Sequence, residues 1–314
     1  MSRASGAAIA LLAVLTGLWT TPAAALRLVT WNLSWLTERA DDINRHFDNN
    51  PRSDQAVFAR SSEDFARLKG YADRLDGDIV AFQEVDGPDV AAKVFDPARY
   101  VLYFSHGSEY QRPGFAVRRN LHVTANADLA SLNIYGPIAD SLRAGADITL
   151  DYHGETIRLL AVHLKSGCAT GYIPDDPQGP VDHSDPCGVL ARQLPILQDW
   201  IDRRHAEGRP FIILGDFNRR FVSRDGRATD WFWRHLAGNP TRGLTLADAA
   251  VKPLCWGEDR PLIDHIVLSR TLGSWLVPGS VAEIGYRETD RYRFEPRLSD
   301  HCPLGATLLA PNER

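Results

Sequence analysis

The feature that most constrains this chain is a repeated pattern: a short apolar run that ends on a carboxylate, an amide or an imidazole. In FIILGDFNRR, residues 211–220, an unbroken run from Phe211 to Leu214 passes through Gly215 and stops at Asp216 and Asn218. A strand buried on both faces, as in a parallel sheet, reads as such a run, and a polar turn alone accounts for its end. The pattern recurs in LRLVTWNL, which ends near Asn32, in IVAFQEV, which presents Glu84, and in TIRLLAVHLKSG, which places His163 after its apolar run. RPLIDHIVLS carries Asp264 and His265, and LSDHCPLGATLLA carries Asp300 and His301 ahead of a final alternating strand. Polar residues on such strand ends can converge although they are far apart in sequence.

Helical spacing separates several of these strands. Residues 55–76 place Val57, Phe58, Phe65, Leu68, Tyr71, Ala72 and Leu75 on one face, and Leu190 to Arg204 repeats the pattern with a kink or late start at Pro195. Further strands are expected at YVLYFSH, GFAVRR, LHVTANADLA and ADITLDYH. The order predicts an α/β (α+β) fold of two mixed β-sheets packed face to face, with flanking helices outside. There is no internal repeat and no linker long enough to divide residues 26–314, which are expected to form one domain.

Residues 1–25 read as a cleaved signal peptide: Arg3, the stretch AAIALLAVLTGLW, then a small-residue end at Ala23 to Ala25. An uncleaved anchor is the alternative, but Thr16, Gly17, Thr20, Thr21 and Pro22 interrupt the apolar stretch. No other segment approaches the roughly 18 apolar residues of a membrane span. A secreted or periplasmic location follows. The net charge of −5 gives no global basic field of the kind that advertises nucleic acid. Four cysteines in an exported chain permit three pairings. Cys168–Cys187 would close a loop rich in Gly, Pro and Asp, and Cys255–Cys302 follows by elimination. A zinc site is the alternative, although no two cysteines show knuckle spacing.

The polar strand ends, Asn32, Glu84, His163, Asp216, Asn218, Asp264, Asp300 and His301, suit metal-assisted hydrolysis better than acyl transfer, since no Ser or Cys occupies a nucleophile elbow. Hard oxygen ligands favour Mg²⁺, with Mn²⁺ or Ca²⁺ as alternatives. Each residue also has a structural reading: Asn32 in a turn, Glu84 as a cap, His163 as a satisfied core histidine, Asp264 as a buried partner. Taken in order, TWNL, FQEV, VHLKSG, GDFN, IDHIVL and SDH resemble the endonuclease/exonuclease/phosphatase superfamily over residues 27–308. That resemblance implies a four-layer deoxyribonuclease I-like sandwich and a divalent-metal-dependent phosphodiester hydrolase. Glu84 resembles the principal metal ligand, with Asn32 beside it and Asp300 a further ligand. His301 resembles the general base or phosphate contact, oriented by Asp264. Asp216 resembles the residue that positions or deprotonates water, Asn218 a phosphate contact, and His163 the second catalytic histidine.

Arginines interleave with aromatics in GYRETDRYRFEPR and NRRFVSRDGR, making Arg293 and Arg220 candidate substrate contacts for a nucleic acid. A monomeric nuclease is the expectation. The alternatives are a sphingomyelinase-like phospholipid phosphodiesterase, for which DWFWRHL at 230–236 would supply an interfacial anchor, a small-substrate phosphatase, and a noncatalytic binding protein on the same fold.

Overall fold

The computed structural model describes residues 25–48, 57–107, 110–136, 142–174, 181–182, 184–223, 226–238, 242–255, 257, 260–287, 290 and 298–311. The expected leader up to Ala24, Arg293 and most of GYRETDRYRFEPR lie outside the described residues. Two six-stranded sheets stack face to face. In spatial order the first holds β11 (Ala282–Glu283), β12 (Leu304–Leu308), β1 (Leu26–Leu36), β2 (Ile79–Val85), β4 (Arg112–Arg118) and β3 (Tyr100–Phe104). The second holds β5 (His122–Ala125), β6 (Ala146–Tyr152), β7 (Glu155–His163), β8 (Phe211–Asp216), β10 (Asp264–Leu268) and β9 (Thr245–Leu246). β1 with β2 and β7 with β8 run parallel, and the other pairings are antiparallel, so both sheets are mixed as expected.

Period-two alternation divides each central strand between two cores. Leu28, Ile79, Ala81 and Phe115 of the first sheet meet Ile148, Leu159, Ile212, Leu214 and Ile266 of the second in the inner core. On the outer face of the first sheet, Val29, Trp31, Val80 and Phe82 pack under α2 (Ser62–Leu75) and α3 (Pro88–Val94). On the outer face of the second, Leu160, Val162, Phe211 and Ile213 pack under α4 (Pro186–Ala206) and α5 (Trp231–Ala237). Helix, sheet, sheet and helix make four layers. β8 is apolar from Phe211 to Leu214 because Phe211 and Ile213 face one core and Ile212 and Leu214 the other.

Several boundaries differ from the sequence expectation for local reasons. The helix expected over 55–76 begins at Ser62, because Ser61 accepts from the Asp64 N–H while the Asp64 carboxylate accepts from the Ser61 N–H, a reciprocal cap that stops the helix extending backward. α4 starts at Pro186, ahead of Leu190, where the Asp185 side chain caps the N–H groups of Cys187 and Gly188, and it continues through Pro195. The strand expected over 121–130 is only His122–Ala125. α1 (Ala40–Asp48) has no counterpart among the expected elements, and α6 (Arg270–Gly273) is a single turn. Both expected disulfides, Cys168–Cys187 and Cys255–Cys302, are present. Among the described residues no helix is long and apolar enough to cross a membrane.

The parallel pairs bring the carboxyl ends of β1, β2, β7 and β8 to one edge of the sandwich. His163 pairs in register with Asp216, and Asp216 with Asp264 at the start of antiparallel β10. β12 is antiparallel to β1, so Ser299 to His301, just before it, arrive at the same edge. Gly215 is needed for this junction. Its φ is +146°, and a Cβ there would lie 2.0 Å from the Val162 carbonyl oxygen. Gly215→Ala is expected to cost on the order of 3 kcal/mol, read as a lowered urea midpoint; an unchanged midpoint contradicts the close approach.

Candidate active site

Glu84 reaches the sheet edge through a bulge. Phe82 and Val85 both belong to the outer core although Gln83 and Glu84 separate them, and the pairing of β2 with β4 slips between them. The Glu84 backbone is left-handed, with φ 60°. This conformation and the extra residue turn its carboxylate away from the core. Asn32 donates from its amide nitrogen to Glu84 Oε1 and to Asp216 Oδ2, both at 3.0 Å, while its Oδ1 accepts from the Ser34 N–H at 2.9 Å. The Trp35 N–H donates to Glu84 Oε2 at 3.0 Å. Asn32 thus braces two carboxylates with its nitrogen, and its oxygen is directed into its own turn.

His163 Nε2 lies 3.6 Å from Glu84 Oε1 and 3.7 Å from Asp216 Oδ2. His301 Nδ1 bonds Asp264 Oδ2 at 2.6 Å, which leaves Nε2 facing Asp216 Oδ2 at 4.0 Å and Asp300 Oδ1 at 3.9 Å. The loop that carries His301 is fixed by its backbone: Ser299 Oγ donates to the Asn32 carbonyl at 2.7 Å and accepts from the His301 N–H at 3.0 Å. The Trp31 indole donates to the Tyr286 hydroxyl at 2.6 Å, which donates to the His301 carbonyl at 3.0 Å. Asn218, left-handed at φ 52°, donates its N–H to Asp216 Oδ1 at 2.7 Å and its side-chain nitrogen to the Leu164 carbonyl at 3.1 Å.

The structure therefore brings Asn32, Glu84, His163, Asp216, Asn218, Asp264 and His301 together, with Asp300 one-third exposed at the rim beside His301. His265, the other histidine of IDHIVL, is a core residue: Nδ1 meets Asp248 Oδ2 at 2.6 Å and Nε2 meets the Arg219 carbonyl at 2.8 Å. Arg143 adds to the set expected from sequence. It is buried, donates to the Leu164 carbonyl at 2.8 Å, and is close enough to Glu84 and Asp216 to feel both charges. It comes from an irregular segment before β6, where no periodicity marks it.

Burial governs the electrostatics. It pushes Glu84 above the ordinary carboxylate range, with Asp300 adding to the shift, and pushes Asp216 up to about 7, with Asp264 adding. Burial, then the Arg143 and His301 charges, holds His163 well below the usual histidine value, so its ring is neutral. Burial also disfavours charge on His301, but Asp264, Asp300 and Asp216 outweigh it and hold this ring well above the usual value, as an imidazolium.

These groups fit a divalent cation. One ligand atom each from Glu84, His163 and Asp216 lie within 4.8 Å of one another, as do those of Asp216, Asp264 and His301. Among the described residues neither Glu84 nor Asp216 has a lysine or arginine within ion-pairing distance, and Asp264 Oδ1 is buried without a hydrogen bond. Hard oxygen donors without a lysine or arginine in direct contact suit Mg²⁺, Mn²⁺ or Ca²⁺.

A pH dependence follows. Because Glu84 and Asp216 are raised, the metal-free folded chain binds protons that the unfolded chain has released. Their contribution to stability falls as pH rises from about 4, where the unfolded carboxylates titrate, through about 7. A divalent cation favours the ionised forms, so the gain in Tm on adding Mg²⁺ is expected to be small near pH 5 and large near pH 8. Thermal unfolding with Mg²⁺ and with chelator checks this; equal gains at the two pH values contradict it.

The profile of the Endonuclease/Exonuclease/phosphatase family matches residues 29–301, from β1 to His301. The chain belongs to the endonuclease/exonuclease/phosphatase family. As a member of that family it is a divalent-metal-dependent phosphoester hydrolase. Solved structures share the fold at low identity. A truncated TDP2 from Caenorhabditis elegans superposes with a TM-score of 0.57 at 18% identity, covering 91% of this chain and 98% of that one. The human Nocturnin catalytic domain with a bound sulfate anion gives 0.58 at 18% identity, covering 90% and 93%. TDP2 from D. rerio, complexed with a single-strand DNA product, gives 0.56 at 19% identity, covering 91% and 99%. A search of curated proteins found no match to the chain.

Proposed function

We propose that this member of the family is an exported nuclease that hydrolyses phosphodiester bonds of nucleic acid with Mg²⁺, and that its catalytic domain spans residues 26–314 behind a cleaved leader. The observation that carries the reading is the single constellation of Glu84, His163, Asp216, Asp264 and His301 at the sheet edge. Two disulfides suit an oxidising compartment. The D. rerio TDP2 complex supports a nucleic-acid substrate on this fold.

Glu84 would hold the metal, with Asp300 as a further ligand from the rim and Asn32 keeping the Glu84 and Asp216 carboxylates aligned. When bound, the cation supplies Lewis-acid stabilisation of charge on the phosphoryl oxygens. Asp216, poised near neutrality, would orient the attacking water and take its proton. Asp264 fixes the His301 ring with Nε2 directed into the site. His301 would meet a phosphoryl oxygen as a charged donor, and His163, held neutral, would add an uncharged N–H. The second hydrogen of the Asn218 amide is left for a phosphate oxygen once the first is given to Leu164.

A phospholipid substrate is less well served, because the aromatics of DWFWRHL do not form an interfacial anchor of the kind a membrane surface engages. Phe232 and Leu236 are fully buried and Trp233 is 8% exposed, while the half-buried Trp231 stacks on the His235 ring with centroids 3.9 Å apart. Incubating the protein with oligonucleotides and with sphingomyelin vesicles in Mg²⁺ tests the choice. Cleavage of the oligonucleotides is expected; release of phosphocholine alone would replace the nuclease reading with the lipid one.

A further inference from the structure

Asp264 and His265 open β10, and strand alternation sends their side chains to opposite faces of the second sheet. Asp264 reaches His301, whereas His265 lies in the outer core against two aromatics: Phe217, with ring centroids 5.7 Å apart, and Phe221, stacked at 4.0 Å with an interplanar angle of 5°. His265 is fully buried, and both ring nitrogens are engaged, Nδ1 with Asp248 Oδ2 at 2.6 Å and Nε2 with the Arg219 carbonyl at 2.8 Å. We propose that His265, oriented by Asp248, is a positioning residue for phosphodiester hydrolysis: its Nε2–H holds the Arg219 carbonyl and thereby fixes the turn from Asp216 to Asn218. The proposal rests on the role given above to Asp216 and adds the residues that aim it.

A carbonyl oxygen only accepts, so Nε2 carries a hydrogen, and Asp248 at the other nitrogen fixes the ring orientation that directs it there. Asp248 is itself secured, since its Oδ1 accepts from the Ile266 N–H at 3.0 Å and the Ala247 N–H donates to the Ile266 carbonyl at 3.0 Å. The restraint therefore passes from β10 into the chain one residue beyond Asn218. Asn218 is left-handed, at φ 52°, a conformation that persists in a residue with a side chain only where the surroundings hold it. In that conformation its N–H donates to Asp216 Oδ1 at 2.7 Å, and this bond, together with the Asn32 amide on Oδ2 at 3.0 Å, sets the direction of the Asp216 carboxylate. Asp230 and the carbonyls of Cys168 and Gly171 fix the Arg219 side chain. The peptide that joins Arg219 to Arg220 is held at both ends, its N–H by the Ala169 carbonyl at 3.1 Å and its C=O by His265.

Stability alone does not account for a buried Asp248–His265 pair. Two ionisable groups lose their hydration there, and apolar residues of similar volume in place of such a pair are often as stable or more so. The layer around His265 already contains Phe217, Phe221 and Phe232, against which another aromatic ring would pack. What an apolar ring cannot supply is a directional donor at the Arg219 carbonyl. Misplacing a reacting group by about 1 Å can cost on the order of 10²-fold in rate, even when the change lies away from the chemistry. One dipeptide thus serves two arms of the site, Asp264 through His301 and His265 through Asp216.

The test measures kcat, KM and the urea midpoint of His265→Asn, His265→Gln and the double variant Asp248→Asn/His265→Phe in Mg²⁺, on an oligonucleotide and on bis(p-nitrophenyl) phosphate. Asn places its amide near the position of Nδ1 and reaches Asp248 but not the carbonyl, whereas Gln places its amide near Nε2 and still donates to Arg219. His265→Asn is expected to lower kcat by about tenfold to a hundredfold with little change in KM. His265→Gln should recover most of that loss, although both variants lose the stack on Phe221 and their urea midpoints fall alike. In an Asp216→Asn background His265→Asn should cost less than about threefold more, because the carboxylate it aims is already gone. If His265→Asn does not fold, the double variant decides: it keeps an acceptor for the Ile266 N–H and a ring against Phe221, leaves no buried charge unpaired, and should show the same loss in kcat. Wild-type kcat in a folded His265→Asn or in the double variant overturns the proposal. So does a His265→Gln that loses as much as His265→Asn, or a loss that persists in full beside Asp216→Asn. A wild type that hydrolyses bis(p-nitrophenyl) phosphate but no oligonucleotide removes the nuclease reading instead, and the ratio of variant to wild type on the small ester still decides the role of His265.

Discussion

His301→Ala is expected to lower kcat on a phosphodiester by about 10²–10⁴-fold, the range for loss of a positioned proton donor or acceptor. The loss has two parts. The imidazolium proposed to meet the phosphoryl oxygen disappears, and Asp264 loses the partner it holds at 2.6 Å. Asp264→Asn separates them: it keeps the shape of the pair but removes the carboxylate that sustains the charge on His301, so activity should fall while the pH at which the ring titrates moves down toward the ordinary histidine value. NMR titration of the His301 ring alongside steady-state kinetics reads both. A His301→Ala protein that is folded and retains the wild-type rate removes this residue from the mechanism. His163→Ala is expected on the same scale, but without moving the His301 titration upward, since His163 is neutral in the folded chain.

Glu84→Gln carries the second large effect. The substitution is nearly isosteric and leaves Asn32 and the Trp35 N–H beside it, so the bulge in β2 should survive. What it removes is the buried negative charge toward which a cation is drawn. Activity should drop by at least about 10²-fold, on the scale of losing one electrostatic stabiliser of the transition state, with part of the loss recovered at high Mg²⁺. In the absence of metal the relief of that buried charge is set against one lost acceptor, because the Gln amide oxygen can serve only one of the two donors, Asn32 and the Trp35 N–H. The expected signature is therefore a lower rate together with a smaller Mg²⁺-dependent gain in Tm. Unchanged metal response in both measurements would move the principal ligand elsewhere.

How far the sequence can be read depends on which physical signal marks each residue. Asp216, His163 and Glu84 are legible because apolar strands end on them, and a polar side chain at a buried strand end needs a reason. Strand pairing explains why distant residues meet: the in-register partners His163, Asp216 and Asp264 follow from two adjacent pairings in the second sheet. The bulge at Glu84 is not legible. Strict alternation through IVAFQEV would put Glu84 on the same outer face as Phe82, under the helices, and only the slip in pairing turns it into the site. The direction of the Asn32 amide is likewise invisible, since it depends on the Ser34 N–H in a tight turn. Arg143 lacks any periodic context, and α1, with its acidic first turn and polar composition, resembles loop sequence. The link between Asp248 and His265 spans 17 residues and comes from sheet geometry rather than from a local pattern.

Metal-dependent cleavage of a phosphodiester at this one site is the central expectation. Nicking of supercoiled plasmid by the purified chain in Mg²⁺, with chelator and with Glu84→Gln as parallel reactions, measures it. The expected result is relaxation of the plasmid in Mg²⁺, none with chelator, and at least about 10²-fold slower relaxation by the variant. Nicking that persists in chelator, or that Glu84→Gln performs at the wild-type rate, would contradict it.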